Sequence, residues 1–168
     1  DTFNITVNPV DDAPVIDTNA GITLAEGATA TVSTAELSSS DVDTPDNLIT
    51  YTVTSVPANG QLELTTAAGV AITSFTQDDL VNNRVIYIHD GGETIADSFD
   101  FEVADATTTL ATDSFNITVT PVDDAPVQTV NAGMTVDEAS TTPITTTELD
   151  LTDPDTAATD LTYTVTTP

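Results

Sequence analysis

The stretch Phe115-Asn116-Ile117-Thr118-Val119-Thr120-Pro121-Val122-Asp123-Asp124-Ala125-Pro126-Val127 decides the fold, because it is nearly the same as Phe3-Asn4-Ile5-Thr6-Val7-Asn8-Pro9-Val10-Asp11-Asp12-Ala13-Pro14-Val15. Its first part alternates Phe, Ile and Val with Asn and Thr, the period of a strand with one buried face. Its second part sets two adjacent carboxylates between prolines, which stiffen the backbone and cannot donate to a sheet ladder. A strand running into a stiff, charged linker marks the junction between two folded bodies.

Beyond the second linker the repetition continues without a gap at the same offset, that of residue 3 to residue 115. Glu26 matches Glu138, Glu36 matches Glu148, Asp41 and Asp43 match Asp153 and Asp155, and Thr50 to Thr54 match Thr162 to Thr166. Self-similarity at a fixed period is the signature of tandem modules. The expected organisation is a terminal strand at 1–8 belonging to a preceding repeat, a linker at 9–15, a complete repeat at 13–122, a linker at 121–127, and the first half of another repeat at 127–168, unstable alone.

Within the complete repeat the chain reads as short strands separated by turn signals. Ile22 to Ala25 is a strand ended by Gly27, and Val32 points inward on the next. Ser40 to Asn47 has loop composition around an Asp-x-Asp. Leu48 to Val56 alternates Ile49, Tyr51 and Val53 inward. Asn59-Gly60 signals a hairpin leading into Gln61 to Leu64. A turn or two of helix begins near Thr76, where Thr76 and Asp79 can form a capping box. Strands resume at Arg84 to Ile88, Phe99 to Val103 and 113–119. Around eight such strands predict an all-β, antiparallel Greek-key β-sandwich, repeated in tandem.

Charge bounds the partners. Arg84 is the single base, and 28 acids leave a net charge of −27. Nucleic acid and anionic membrane are excluded as partners, since both require Lys or Arg to neutralise phosphate; cations are favoured. The absence of Cys removes disulfides, zinc thiolates and nucleophilic thiols. No run in the sequence reads as a signal peptide or a membrane span.

The order of a Glu in the first strand, Asp-x-Asp before a Tyr-containing strand, Gly-Gly-Glu in a late turn, Val-Ala-Asp and then Asp-Asp-Ala-Pro resembles a cadherin-type repeat. Phe75-Thr76-Gln77-Asp78-Asp79-Leu80, Val85-Ile86-Tyr87-Ile88-His89-Asp90-Gly91 and Asp97-Ser98-Phe99-Asp100-Phe101 are more specific. They resemble the chondroitin-sulfate-proteoglycan-type repeat, a cadherin-like variant that also occurs in giant bacterial surface adhesins. The resemblance implies Ca2+ at the junctions between repeats. One junction would use Glu26, Glu93, Asp123 and Asp124 with Asp153 and Asp155. The other would use Asp11 and Asp12 with Asp41, Asp43 and Asp105. The linker carries two acids where cadherins have a longer acidic string, which implies one or two ions per junction. Calcium takes six to eight oxygens, mostly carboxylate and carbonyl, and acids crowded without a counter-charge repel.

Other chemistries find no support. His89 stands without a second His or Cys to share zinc, and a structural or solvent-facing role is expected of it. Arg84 is expected to pair with a neighbouring acid. Glu36, Glu148, Asp46, Asp78, Asp79, Asp97 and Asp100 read as surface or capping residues. Asn4-Ile5-Thr6 and Asn116-Ile117-Thr118 are glycosylation sequons, but strand alternation, which requires polar outward residues, is the stronger explanation of them. The expected function is a non-enzymatic, calcium-stiffened extracellular spacer or filament segment of a large surface protein. Its partners are expected to be neighbouring repeats, through calcium junctions, with a homotypic or surface partner in addition. An alternative has the repeat itself bind a glycan or partner protein, which requires an exposed aromatic patch.

Overall fold

The computed structural model describes residues 1–166, which fall into two units, Asp1–Pro121 and Val122–Pro168. In the first unit the chain runs through Val15–Asn19 (β1), Ile22–Ala25 (β2), Thr29–Val32 (β3), Leu37–Ser40 (β4), Thr50–Ser55 (β5), Gly60–Leu64 (β6), Ser74–Thr76 (β7), the helix Gln77–Val81 (α1), Val85–His89 (β8), Ala96–Ala104 (β9) and Asp113–Thr120 (β10). A five-stranded sheet in the order β2-β10-β9-β5-β7 and a three-stranded sheet β3-β8-β6 carry the core, with β1 and β4 as a separate pair. Every strand pair of the unit is antiparallel except β2 with β10, which run parallel, Ile22 opposite Ile117 and Ala25 opposite Thr120.

The alternation read from sequence is what fills the space between the sheets. Ile49, Tyr51, Val53, Phe99, Phe101, Val103, Phe115, Ile117 and Val119 are buried from the five-stranded side, and Val32, Leu62, Val85 and Tyr87 from the other. Tyr51 stacks on Phe75 with centroids 4.9 Å apart, and Phe99 on Phe115 at 5.0 Å. Burial of rings this size supplies much of the apolar driving force of a small sandwich. The Tyr51 hydroxyl, which must find a partner once buried, donates to Gln77 Oε1 at 2.8 Å beside Ser39 Oγ at 2.8 Å; burial pushes its pKa well above the usual tyrosine range.

Helix α1 is started as the sequence predicts. Thr76 Oγ1 accepts from the Asp79 N–H while Asp79 Oδ2 accepts from the Thr76 N–H at 2.9 Å. Arg84 is spent on the same helix, its Nε donating to Asp79 Oδ1 at 2.8 Å and its Nη2 to Asp78. Burial tends to raise the Asp79 carboxyl, but bonds from Thr76 and the Arg84 guanidinium outweigh it and hold the group below the ordinary carboxylate range.

One segment stands apart and one expectation fails. Residues 1–7 pair with no strand among the described residues, and Phe3, Ile5 and Val7 are 90%, 76% and 82% exposed; a strand requires a hydrogen-bonding neighbour. Asn59-Gly60 is not a hairpin. β5 pairs with β7 and β9, β6 pairs with β8, and the dipeptide is a crossing from one sheet to the other. Gly60 is required by close approach instead, because a Cβ there would lie 2.4 Å from Ile88 O and 2.6 Å from the Tyr87 ring. The crossing is held by Asp97, whose carboxylate accepts from the N–H groups of Ala58 and Asn59, both at 3.0 Å, and from the Tyr87 hydroxyl at 2.8 Å.

The second unit contains Val127–Asn131 (β11) and Leu149–Thr152 (β12), an antiparallel pair that reproduces β1 with β4, register irregularity included. Thr162 to Thr166, the copy of the β5 sequence, forms no strand. Among the described residues, no helix is long and apolar enough to cross a membrane.

Candidate metal centres

The acids singled out from sequence within the first unit gather at its two poles. β9 pairs with β10 so that Asp113 faces Phe101 and Thr118 faces Ala96. The turn before β9 and the end of β10 therefore share one pole, and the turn after β9 lies at the other.

The pole after β9 carries Asp105, the linker acids and the Asp-x-Asp loop. Asp41 Oδ1 accepts from the N–H groups of Asp43 at 2.8 Å and Thr44 at 2.7 Å, a turn in which a short carboxylate replaces a backbone acceptor. Asp43 Oδ2 in turn accepts from the Asp12 N–H at 3.2 Å, tying the linker to the loop. Asp105 Oδ1 accepts from the N–H groups of Thr107 and Thr108, both at 2.6 Å, and those backbone bonds hold its carboxyl below the ordinary range. The Thr107 hydroxyl donates to Asp11 and lies 3.3 Å from Asp105 Oδ1. Asp11 and Asp43 line one open cleft with Pro9 and Val10. All five acids predicted for this junction thus belong to one connected arrangement. Sequence reading missed Thr107 as its bridge, although Asp-x-Thr-Thr at 105–108 is a turn signal of the same kind as Asp-x-Asp-Thr at 41–44.

Asp41 Oδ2 and Asp105 Oδ2 are, among the described residues, the buried side-chain oxygens that no hydrogen bond satisfies. A buried acceptor left unpaired is costly, the more so when charged. Each of these carboxylates uses one oxygen to shape its own turn and leaves the other enclosed and available. Hard oxygen donors from several loops, with two of them unsatisfied, are the donor set that calcium takes.

The opposite pole carries Glu26 and Glu93, whose carboxylate oxygens come within 4.8 Å of each other. Glu26 sits where the chain leaves β2 for β3 and so changes sheets, at a kink in which Gly27 has φ +64. Its N–H donates to Thr120 O at 2.9 Å, the last residue of β10. Glu93 lies in the turn between β8 and β9, held alongside by the Val119 N–H donating to Ile95 O at 3.0 Å. Carboxylates this close repel one another.

In the second unit the loop geometry of the first recurs. Asp153 Oδ1 accepts from the N–H groups of Asp155 at 3.0 Å and Thr156 at 2.8 Å, and Asp155 Oδ2 accepts from the Asp124 N–H at 2.7 Å. Asp123 is exposed beside Asp124. Glu36 and Glu148, read as surface or capping residues, accept from the N–H groups of Ser33 and Thr145, both at 2.9 Å.

Burial bears on the other readings. His89 is 3% exposed and fully engaged within the fold. The aromatic rings of the sandwich, Tyr51, Phe75, Tyr87, Phe99, Phe101 and Phe115, are all buried, whereas Phe3 and Tyr163 are 90% and 51% exposed.

Comparison with known proteins agrees with this architecture. The model of a cadherin-like family matches residues 14–119 and again 126–168. The chain is 36% identical over 168 residues to the human extracellular matrix organizing protein FRAS1, covering 99% of this chain and 4% of that protein. It is 35% identical over 165 residues to extracellular matrix protein 3 of Lytechinus variegatus, covering 98% and 5%. It is 36% identical over 117 residues to human chondroitin sulfate proteoglycan 4, covering 69% and 5%. These relatives are animal proteins, and the chain spans about a twentieth of the length of each. Sandwich, repeat spacing and the two matched segments lead to one conclusion: the chain belongs to the cadherin-like family, in its extracellular, chondroitin-sulfate-proteoglycan-type form.

Proposed function

We propose that the chain is a calcium-stiffened structural spacer, a length of non-enzymatic tandem repeat that holds other parts of an extracellular protein apart. The observation that carries this reading is the pair of enclosed, unsatisfied oxygens, Asp41 Oδ2 and Asp105 Oδ2, in an acid set tied to the linker. The sequence has one base, Arg84, and it is committed to Asp78 and Asp79 at α1. A calcium ion, when bound, supplies the positive charge that these acids lack. Asp41, Asp43 and Asp105 offer oxygens on the body of the repeat; Asp11 and Asp12 offer theirs from the linker, so that filling the set fixes the linker to the body. Asp123, Asp124, Asp153 and Asp155 play the same parts in the next copy, and Glu26 with Glu93 offer a further pair of carboxylates on the first unit.

Extracellular modules of this kind bind calcium with Kd on the order of 10⁻⁴ to 10⁻³ M, which makes the stiffening effective outside a cell and absent inside one. The experiment is a distance distribution between spin labels at Ser98 and Thr159, taken with chelator and with millimolar calcium. The distribution is expected to narrow with calcium. An unchanged distribution removes the stiffening role.

A further inference from the structure

The His89 imidazole is completely enclosed, with 0% side-chain exposure, and its contacts join the two segments that carry Glu26 and Glu93. Nδ1 accepts from the Gly27 N–H at 3.2 Å and from the Gly91 N–H at 3.2 Å. Nε2 lies 3.0 Å from Thr94 Oγ1. Gly27 follows Glu26, and Gly91 and Thr94 bracket Glu93. A nitrogen that accepts two N–H bonds carries no proton, so the contacts select the Nε2–H tautomer, which donates to Thr94. The two segments run close to one another, a Cβ built on Gly27 falling at ordinary van der Waals distance, 3.9 Å, from Gly91 Cα, and both positions call for glycine through their positive φ, +64 and +84. The ring is itself anchored, since it ends β8 and the His89 N–H donates to Ala28 O at 3.1 Å.

We propose that His89 is the positioning residue of the Glu26–Glu93 pair, a neutral imidazole pin that overcomes the repulsion between two carboxylates and presents them together to a cation. The proposal rests on the reading of that pair as calcium ligands. Its logic is that of outer-shell support: the ligating groups are held by a residue that never touches the ion, and loss of such support typically costs 10- to 100-fold in metal affinity. The same arrangement accounts for the run His-Asp-Gly-Gly-Glu at 89–93, in which the histidine supplies the acceptor, Gly91 its donor and Glu93 the ligand.

The full chain tests this as wild type and as His89→Phe, His89→Asn and Glu26→Gln/Glu93→Gln, with calcium alone as the probe. Amide NMR follows Gly27, Gly91 and Thr94 for this pole and Asp43, Thr107 and Thr108 for the other. His89→Phe is expected to weaken the calcium response at Gly27 and Gly91 at least tenfold, leaving the response at Asp43 and Thr107 unchanged. His89→Asn, whose Oδ1 takes the place of Nδ1, is expected to recover part of the loss. Without calcium, His89→Phe is expected to speed hydrogen exchange at Gly27 and Gly91 at least tenfold, while Phe101 and Ile117 keep their protection. Unchanged exchange at the two glycines, equal weakening at both poles, or wild-type binding in His89→Phe overturns the proposal. If Glu26→Gln/Glu93→Gln binds like wild type at this pole, the ligand reading fails and the proposal falls with it, whatever the exchange data give.

Discussion

The pentapeptide Thr-Tyr-Thr-Val-Thr occurs at 50–54 and at 162–166, and the copies behave as opposites. In the first, Tyr51 and Val53 are 0% and 7% exposed on a central strand; in the second, Tyr163 and Val165 are 51% and 85% exposed and form no strand. Phe-Asn-Ile-Thr-Val at 115–119 and 3–7 divides in the same way. The Asp-x-Asp loops do not divide: Asp41 and Asp153 make the same pair of bonds, and the Asp12 and Asp124 N–H groups reach Asp43 and Asp155 alike. Turn chemistry is specified by the few residues that make it. A strand is specified only when partners from elsewhere in the sequence arrive to pair with it.

The glycines sharpen the contrast. Gly21 and Gly133 have nearly equal φ, +72 and +67, yet a Cβ on Gly21 would lie 2.5 Å from Asn116 O on β10, whereas one on Gly133 meets nothing within 4 Å. The local conformation survives in the second unit, and the tertiary reason for glycine does not.

The largest test of this division is truncation of the rings. Tyr51→Ala should destabilise the first unit by about 3–5 kcal/mol, as other large aromatic truncations in cores do, and Tyr163→Ala should stay within about 0.5 kcal/mol, as surface changes do. Phe115→Ala and Phe3→Ala should split in the same sense. Urea unfolding followed by circular dichroism reads both pairs; equal effects within a pair would dissolve the comparison.

Acid should act next most strongly, and on the first unit. Asp97 is raised by burial but lowered further by bonds from Ala58, Asn59, Tyr87 and Ser98, and Asp79 is likewise held below the ordinary range. A carboxyl depressed in the folded state contributes stability that is complete above its unfolded value of about 3.9 and is lost as pH falls through the folded value. Asp97→Asn should cost about 1–3 kcal/mol near neutral pH, the range for unsatisfied buried donors, and should flatten the acid limb of the stability curve. A variant with the wild-type acid limb would deny Asp97 that role.

The smallest contrast lies in the backbone. Gly27 and its counterpart Ala139 share φ +64, a left-handed conformation that costs a residue with a Cβ about 1–2 kcal/mol. Gly27→Ala should lower the stability of the first unit by about that amount. Ala139→Gly should raise hydrogen-exchange protection at Ser140, whose N–H donates to Asp137 O at 3.1 Å across that turn. No change in either would mean that the shared φ is not enforced by the turn.

These contrasts explain what could be read in the sequence. Alternation in Ile49-Thr50-Tyr51-Thr52-Val53 and the Thr76–Asp79 box are local signals, and both are realised. The linker-to-loop arrangement was legible because Asp-x-Asp recurs with the linker at fixed spacing. Three features were not legible, since each depends on pairing between distant segments. One is the parallel match of β2 with β10; another is the sheet crossing at Asn59-Gly60, where an apparent turn glycine answers instead to the approach of β8. The third is Glu63, buried at 2% with Oε2 accepting from the Gly69 N–H at 2.7 Å, which alternation alone places on a solvent face.

The central claim is that the acids of the Asp41–Asp105 pole form a calcium site. Calorimetric titration of calcium into the wild-type chain and into Asp41→Asn/Asp105→Asn tests it most directly. The account predicts wild-type binding with Kd on the order of 10⁻⁴ to 10⁻³ M, and at least tenfold weaker binding at that pole in the variant, with an unchanged circular dichroism spectrum. Absence of binding to the wild type at millimolar calcium, or undiminished binding to the variant, would contradict it.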